Sequence, residues 1–187
     1  MISANPQARL LTAEEFYDVA GSLGRSELTE GVVIEMGPTC GDHGESELDV
    51  GAELRAFVRA RGLGKVYAGE VGFILSRNPD TVRGAEVCYL STEKAARVPR
   101  RGFSPFAPDL AVEVVSPDDR WTELRRKVDE WLAAGTVMVW VVDPARRTVE
   151  VYSADGHQSL AGDALISGGT VLPEFEVPIS RFFGEAT

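Results

Sequence analysis

The chain has 187 residues, of which 44% are hydrophobic and 26% are charged, and its formal net charge is −10. This length supports one well-buried domain rather than two, and no apolar run reaches the roughly 18 residues that a membrane-spanning helix requires. An acidic chain argues against strong nonspecific binding of nucleic acid, although a local basic patch is still compatible with it. Two cysteines and no signal-peptide pattern in residues 1–6 predict a reduced, cytoplasmic protein without a membrane partner.

The N-terminal elements predicted from the sequence are a short helix, a hairpin and a long helix. Residues 12–15 have the Thr-x-x-Glu form of a capping box, which predicts a helix to about residue 20. Residues 26–36 predict a hairpin that turns near Glu30-Gly31. A long helix is expected over residues 42–61 with Asp42 as its N-cap, because apolar residues recur on one face and glycines follow.

The second half of the chain predicts strands separated by one main helix, and then short β segments over residues 168–183. The strands are expected over 65–75, 85–90, 109–115, 137–142 and 148–152, the last as an edge strand. Because a helix over 118–134 connects them, the strands at 109–115 and 137–142 should be parallel with a right-handed crossover. The fold class is therefore a mixed α/β sheet flanked by helices, forming a single domain over 1–187.

Two predicted apolar strands each carry a carboxylate in the middle, Glu86 in the first and Glu113 in the second. A charge in such a strand is costly unless a partner offsets it. If the strands are adjacent, the carboxylates repel each other, and a bound Mg²⁺ or Mn²⁺ would relieve this repulsion. The backbone carbonyl of Val114 is a natural third ligand. Alternatively, Glu86 can pair with an arginine such as Arg83.

A lysine follows these strands on the next predicted helix. Lys127 lies at the edge of the apolar stripe, three residues after Leu124 and four before Trp131. Its ammonium group can lean over the sheet toward the metal, where it would activate a water or neutralise phosphate charge. A lysine in this position also commonly extends to solvent. The pattern thus indicates a nuclease-like site without excluding an ordinary surface lysine.

Other residues that could carry a function are explained more simply as ordinary core or surface residues. Cys40 and His43 are spaced like half a zinc site, but the only other histidine is His157, so a four-ligand structural zinc is not expected. The tryptophans are most simply core residues, and many arginines are most simply surface charge. The cluster best placed for phosphate contact lies in a loop that contains Pro and Gly, and comprises Arg97, Arg100 and Arg101.

Several segments together resemble a known family. They are Glu27-Leu28-Thr29-Glu30-Gly31, Asp42-His43-Gly44, Arg83-Gly84-Ala85-Glu86-Val87, the strand and turn over 108–117, Lys127-Val128-Asp129-Glu130-Trp131, and the strand and turn over 139–144. In this order they resemble the Uma-type restriction endonuclease family, within the PD-(D/E)XK nuclease-like superfamily. The resemblance covers essentially the whole chain and implies a restriction-endonuclease-like core.

The resemblance implies a metal-dependent phosphodiesterase in which Glu86 and Glu113 hold Mg²⁺ or Mn²⁺. Val115 occupies the usual position of the strand lysine, so Lys127 would be the lysine relocated to the following helix. Where the family usually shows Pro-Asp, this chain has Ala85-Glu86. The carboxylate is therefore retained on a side chain that is one methylene longer.

The resemblance also extends to two N-terminal residues and to the partners. Glu27 resembles the family's N-terminal acid and would complete the metal shell, and His43 resembles its histidine at the start of the long helix. The implied partner is nucleic acid, with DNA expected, and a homodimer is plausible because cutting two strands suits two-fold symmetry. The alternative is an inactive nuclease-fold protein that acts as a binding or interaction module.

Overall fold

A mixed eight-stranded sheet, with helices packed on both faces, organises residues 9–184, the part of the chain that this computed structural model describes. Residues 1–6, for which the sequence predicts no signal peptide, lie outside the described residues. The mixed α/β class predicted from the sequence is confirmed. No helix within 9–184 is both long enough and apolar enough to cross a bilayer.

The elements follow one another in a simple order along the chain. The helices are α1 (Ala13–Ala20), α2 (Gly41–Arg61), α3 (Thr92–Arg97) and α4 (Trp121–Ala133), with a final 3₁₀ turn at Ile179–Phe182. The strands are β1 (Ser26–Thr29), β2 (Val32–Glu35), β3 (Gly64–Ser76), β4 (Thr81–Ser91), β5 (Leu110–Val114), β6 (Met138–Asp143), β7 (Thr148–Ser153), β8 (Gly156–Ala161), β9 (Leu165–Gly168) and β10 (Leu172–Pro178).

The sheet contains a fork beside β4. Strand β3 pairs with β4 along its length, so β1 and β5 both lie along the other edge of β4. Strand β1 meets β4 at Val82, whereas β5 pairs with residues 87–89. Residues 83–86 of β4 therefore lie where β1 and β5 diverge, which leaves room for side chains between the two strands.

The two sheet faces carry different core clusters. Alternate strand residues, such as Val112 and Trp140, pack with α2 and the C-terminal segment, while Ala111 and Val139 pack with α4. Strands β5 and β6 are parallel, as predicted from the helical crossover through α4. This alternation follows from the period of two residues along a strand.

Several boundaries differ from the sequence prediction for local reasons. Helix α2 begins at Gly41 with Cys40 as its N-cap, so the N-cap predicted at Asp42 is wrong. Helix α4 begins at Trp121 rather than near residue 118, because Ser116 and Asp119 close a hydrogen-bonded turn before it. Helix α3 was not predicted, since its six residues are too few to show a helical period.

Two further predictions are corrected by the tertiary structure. Strand β7 is not an edge strand, because β8 pairs with its outer side. Trp131 and Trp140 are fully buried as expected, but Trp121 is 42% exposed. The N-terminal hairpin is confirmed, with Glu30 and Gly31 both at positive φ in its turn.

Candidate active site

The fork brings four of the predicted residues to one open cleft of about 400 Å³. Glu27 comes from β1, Glu86 from the fork region of β4, Glu113 from β5, and Lys127 from α4. Val114 also lines this cleft. Side chains separated by up to 100 positions in sequence thus meet because three strands and one helix converge there.

The carboxylate of Glu86 is buried, and both of its oxygens have hydrogen-bond partners. Arg25 donates to Oε1 at 2.8 Å, the His43 Nε2 lies 2.9 Å from the same oxygen, and the Val114 amide donates to Oε2. Burial opposes ionisation of Glu86, but the hydrogen bond from His43 and the adjacent positive charges lower its pKa below the usual value. Burial likewise opposes protonation of His43, yet contact with Glu86 raises its pKa.

A second carboxylate shares Arg25 with Glu86. Arg25 forms an ion pair with Glu70, which lies in a β-bulge of β3 at positive φ. Burial and the charge of Glu86 outweigh the opposing effect of Arg25, so that the pKa of Glu70 is raised to about 7. A Cβ at Gly84 would lie 2.5 Å from Glu70 Oε2, so the glycine makes room for this carboxylate.

Glu113 is as buried as Glu86 but has a different environment. The Trp131 indole donates to Oε1 at 2.7 Å, and the Lys127 Nζ lies 3.5 Å from Oε2. The pKa of Glu113 is raised to about 8. Burial is the main cause, Lys127 opposes it, and the charges of Glu86 and Glu27 add to the increase. The environment of Glu113 therefore shifts its pKa in the direction opposite to that of Glu86.

Lys127 points into the cleft rather than to solvent. Its Nζ lies 3.3 Å from Glu27 Oε1, in addition to its contact with Glu113. Burial favours the neutral amine, but the two carboxylates raise the pKa of Lys127. The side chain is therefore a permanent ammonium group at neutral pH, suited to stabilising negative charge rather than to accepting a proton.

Glu86 pairs with an arginine, as the alternative drawn from the sequence suggested, but its partner is Arg25 and not Arg83. Arg83 donates instead to Glu27 Oε2 at 2.7 Å and to Glu130 Oε2 at 2.7 Å, and the Gly84 amide donates to Glu27. This buried arrangement fixes Glu27 at the edge of the fork. The short strand β1 separates from β4 there, so the Glu27 carboxylate takes the place of a strand partner for Gly84.

The arginines predicted to contact phosphate lie elsewhere. Arg97 ends α3, where its guanidinium lies 5.1 Å from the centroid of the Phe106 ring. Arg100 and Arg101 are exposed, and none of the three is among the residues that line the cleft that contains Lys127. The basic groups that do line it are Arg25, Arg83, Arg126 and Lys127.

Sequence reasoning missed Trp131 and Arg25, which contact the carboxylates, and Glu70, which pairs with Arg25. Trp131 had a detectable signal, because it lies four positions after Lys127 and so shares its helix face. Arg25 had a weaker signal, since it precedes Glu27 by two positions at the start of a strand. His43, a candidate already named from the sequence, is 1% exposed and is placed against Glu86 by packing of α2 on the sheet. No pattern in the sequence indicated that Glu70 lies at this site.

The donor chemistry at the fork suits a hard divalent cation. Carboxylate oxygens are the ligands that Mg²⁺ and Mn²⁺ prefer, with remaining positions filled by water. Glu86 and Glu113 line the same cleft, and the charge of Glu86 raises the pKa of Glu113, so a cation would relieve their repulsion. Within residues 9–184, no three His, Cys, Asp or Glu side chains already converge as a metal cluster.

The fold and this convergence of two buried carboxylates with a lysine define a protein of the restriction-endonuclease-like class. The profile of the Uma2 family, described as "Putative restriction endonuclease", matches residues 13–180. The chain belongs to this family, which confirms the resemblance found in its sequence motifs.

A solved structure supports the same fold. A protein described as a putative nuclease belonging to DUF820 from Anabaena variabilis ATCC 29413 superposes with a TM-score of 0.78 at 21% identity, over 92% of this chain and 97% of that chain. At this identity the likeness establishes the fold alone. No curated protein matches the chain significantly.

Proposed function

We propose that this protein is a Mg²⁺- or Mn²⁺-dependent endonuclease that hydrolyses phosphodiester bonds of nucleic acid, with DNA as the expected substrate. The observation that carries the proposal is the inward position of Lys127, which lies between Glu27 and Glu113 in the cleft that Glu86 also lines. Membership of a restriction endonuclease family supports the same reaction class.

In this proposal Glu86 and Glu113 hold the cation, with Glu27 and the Val114 carbonyl as further oxygen ligands. A divalent cation held by these residues would supply Lewis-acid chemistry to the phosphate and would make a bound water more acidic. The Lys127 ammonium stabilises negative charge that develops on the phosphate during attack.

Neighbouring groups hold the two carboxylates in place. The Trp131 indole orients Glu113 by donating to Oε1 at 2.7 Å. His43 serves as the auxiliary residue, because its Nε2 lies 2.9 Å from Glu86 Oε1 and orients that carboxylate. The cleft arginine Arg126 is a better candidate for phosphate contact than Arg97, Arg100 or Arg101, since it lines the cleft.

The cellular setting and assembly stay predictions. The free cysteines Cys40 and Cys88 are consistent with a reducing cytoplasm. A homodimer would place two such clefts on two strands of a duplex. Sedimentation of the purified protein, alone and with DNA, measures the oligomeric state directly.

The proposal is tested with purified protein and single- and double-stranded DNA and RNA, each with Mg²⁺, Mn²⁺ or EDTA. We expect metal-dependent cleavage that falls by about a hundredfold or more in Glu113→Gln and in Lys127→Ala. Matched controls are Glu93→Gln and Lys65→Ala, whose side chains are exposed and lie outside the cleft. Equal cleavage by Lys127→Ala and the wild type would refute the assigned site.

The alternative function is a non-catalytic binding module that retains the fold. One observation favours it, because Glu86 is already neutralised by Arg25 and His43. The inward position of Lys127 argues against it. Calorimetry with Mn²⁺ separates the two functions: an enzyme binds Mn²⁺ and loses this binding in Glu113→Gln, whereas a module of this kind binds none and cuts nothing.

A further inference from the structure

A second groove of about 400 Å³ adjoins the catalytic cleft. The segment that connects β5 to α4 separates the two, and Ser116 and Asp119 line both. His43 joins them as well, since its Nε2 contacts Glu86 while its ring also lines the second groove. The two grooves are therefore neighbours on the surface, on either side of the segment that contains Ser116 and Asp119.

An exposed aromatic side chain lines this second groove. Trp121 is 42% exposed, and it is the one Phe, Tyr or Trp in residues 9–184 whose side chain is exposed rather than buried or half-buried. The Arg146 guanidinium lies 5.8 Å from its ring centroid and is held there by Asp143 at 2.8 Å. An indole and a guanidinium plane are both surfaces on which nucleobases stack.

The charges of the groove favour a base over a phosphate. Its lining contains Asp42, Asp119 and Asp143 but only one arginine, Arg146, and no lysine, while the Nε2 of its histidine faces Glu86. Carboxylates repel a phosphate, but they accept hydrogen bonds from the amino groups of bases. The lining of the cleft that contains Lys127 also carries carboxylates, but it has four cationic side chains, among them Lys127 and Arg126, that can contact a phosphate.

We propose that the Trp121 groove is a subsite for an unpaired nucleobase of single-stranded nucleic acid, next to the phosphate held in the catalytic cleft. This inference rests on the proposed nuclease function and specifies its substrate class. A base enters the groove and stacks on Trp121 only when it is unpaired, because a paired base is covered by its neighbours in the duplex.

The subsite is tested by binding in EDTA, so that no cleavage occurs. Fluorescence anisotropy measures the affinity for labelled 12-nucleotide DNA and RNA strands of mixed sequence, and for duplexes of the same sequences. We expect the wild type to bind single strands more tightly than duplexes.

Trp121→Ala should weaken single-strand binding by about tenfold or more, whereas Trp121→Tyr should retain most of it. Leu165→Ala, another exposed apolar residue outside both grooves, should bind like the wild type.

A second readout is specific to the position of the indole. Trp131 and Trp140 are fully buried, so quenching of tryptophan fluorescence by acrylamide reports mainly on Trp121. A saturating single strand should protect Trp121 from the quencher, and a duplex should not.

The outcomes separate this inference from the proposed function. Undetectable binding of single strands by the wild type, or unchanged binding by Trp121→Ala, would overturn the subsite even if the enzyme cuts DNA. Weakened binding by folded Trp121→Ala would support the subsite even if no cleavage is found with any metal. Thermal unfolding of each variant establishes that it is folded.

Discussion

Glu86 and Glu113 lie on neighbouring strands and are almost equally buried, at 4% and 3% exposed, yet their surroundings favour opposite protonation states. Glu86 contacts two cationic or protonatable partners, Arg25 and His43, and its pKa is lowered. Glu113 contacts one neutral donor and a lysine that it shares with Glu27, and its pKa is raised to about 8.

The difference shows that burial alone does not determine the charge of a carboxylate. Both groups lose water, so the hydrogen-bond donors and cations that replace it decide the outcome. Without metal, the fork holds one carboxylate whose pKa is lowered and one whose pKa is raised, which disfavours two unpaired negative charges side by side. A cation at the fork would favour loss of the proton from Glu113, so metal binding and deprotonation of Glu113 should be linked.

The largest expected effect is on the pH dependence of stability in EDTA. Glu113 has a folded pKa of about 8 against an ordinary value of 4.5. Between these values the folded state holds a proton that the unfolded state has lost, so this group's contribution to stability falls as pH rises. Wild type and Glu113→Gln should be similarly stable near pH 4.5, and wild type should lose a few kcal/mol relative to the variant by pH 9.

Denaturant unfolding at several pH values measures this difference. Glu93→Gln is the matched control, because its side chain is exposed and should leave the pH profile of the wild type unchanged. Parallel profiles for wild type and Glu113→Gln would show that Glu113 is ionised in the folded protein, and the contrast with Glu86 would disappear.

A smaller effect is expected from the indole that supports Glu113. Trp131 and Trp140 are both fully buried, but Trp131 donates to Glu113, whereas the Trp140 Nε1 has no hydrogen-bond partner within residues 9–184. Replacement by Phe removes similar volume from each site. Trp131→Phe should therefore cost about 1 kcal/mol more in unfolding free energy than Trp140→Phe.

Chemical denaturation of the two tryptophan variants at neutral pH tests this expectation. Equal losses would mean that volume alone accounts for the effect and that the hydrogen bond to Glu113 contributes nothing. A larger loss in Trp140→Phe would contradict the proposed role of Trp131 as a support for the site.

The smallest effect concerns the other carboxylate. The Arg25 guanidinium and a divalent cation compete for Glu86 Oε1, so Arg25→Met should tighten Mn²⁺ binding by about fivefold, which corresponds to a partly exposed ion pair. Calorimetric titration measures the affinity, with Arg55→Met as the control because Arg55 is exposed on α2 and lies outside the cleft. Weaker binding in Arg25→Met would instead indicate that Arg25 orients Glu86 for the metal.

Local patterns in the sequence predicted the strands around the site well. The apolar strands that contain Glu86 and Glu113 were recognised because continuous apolar runs predict buried strands. The helix that connects β5 to β6 required β5 and β6 to be parallel to each other. The position of Lys127 on the helix stripe was also visible. The direction of the Lys127 side chain could not be predicted. A lysine at the edge of an apolar helix stripe extends either to solvent or to a buried acid, depending on what packs opposite it.

The partners of Glu86 could not be predicted, because they depend on contacts between distant segments. Arg25 is 61 positions away and His43 is 43 positions away. Glu70 enters through a bulge in β3 that no periodic pattern signals. Trp121 was expected in the core, but the turn at Ser116–Asp119 delays the start of α4 and leaves the indole at the groove.

The sequence by itself thus determined the family, the mixed α/β class and the candidate carboxylates, because side-chain periodicity and local turns are encoded over a few neighbouring residues. Only the tertiary structure decided which carboxylate is ionised, where Lys127 points and which aromatic residue faces solvent. Those properties depend on desolvation and on charges brought together at the fork between β1, β4 and β5. Such interactions arise only when the distant strands and helices pack.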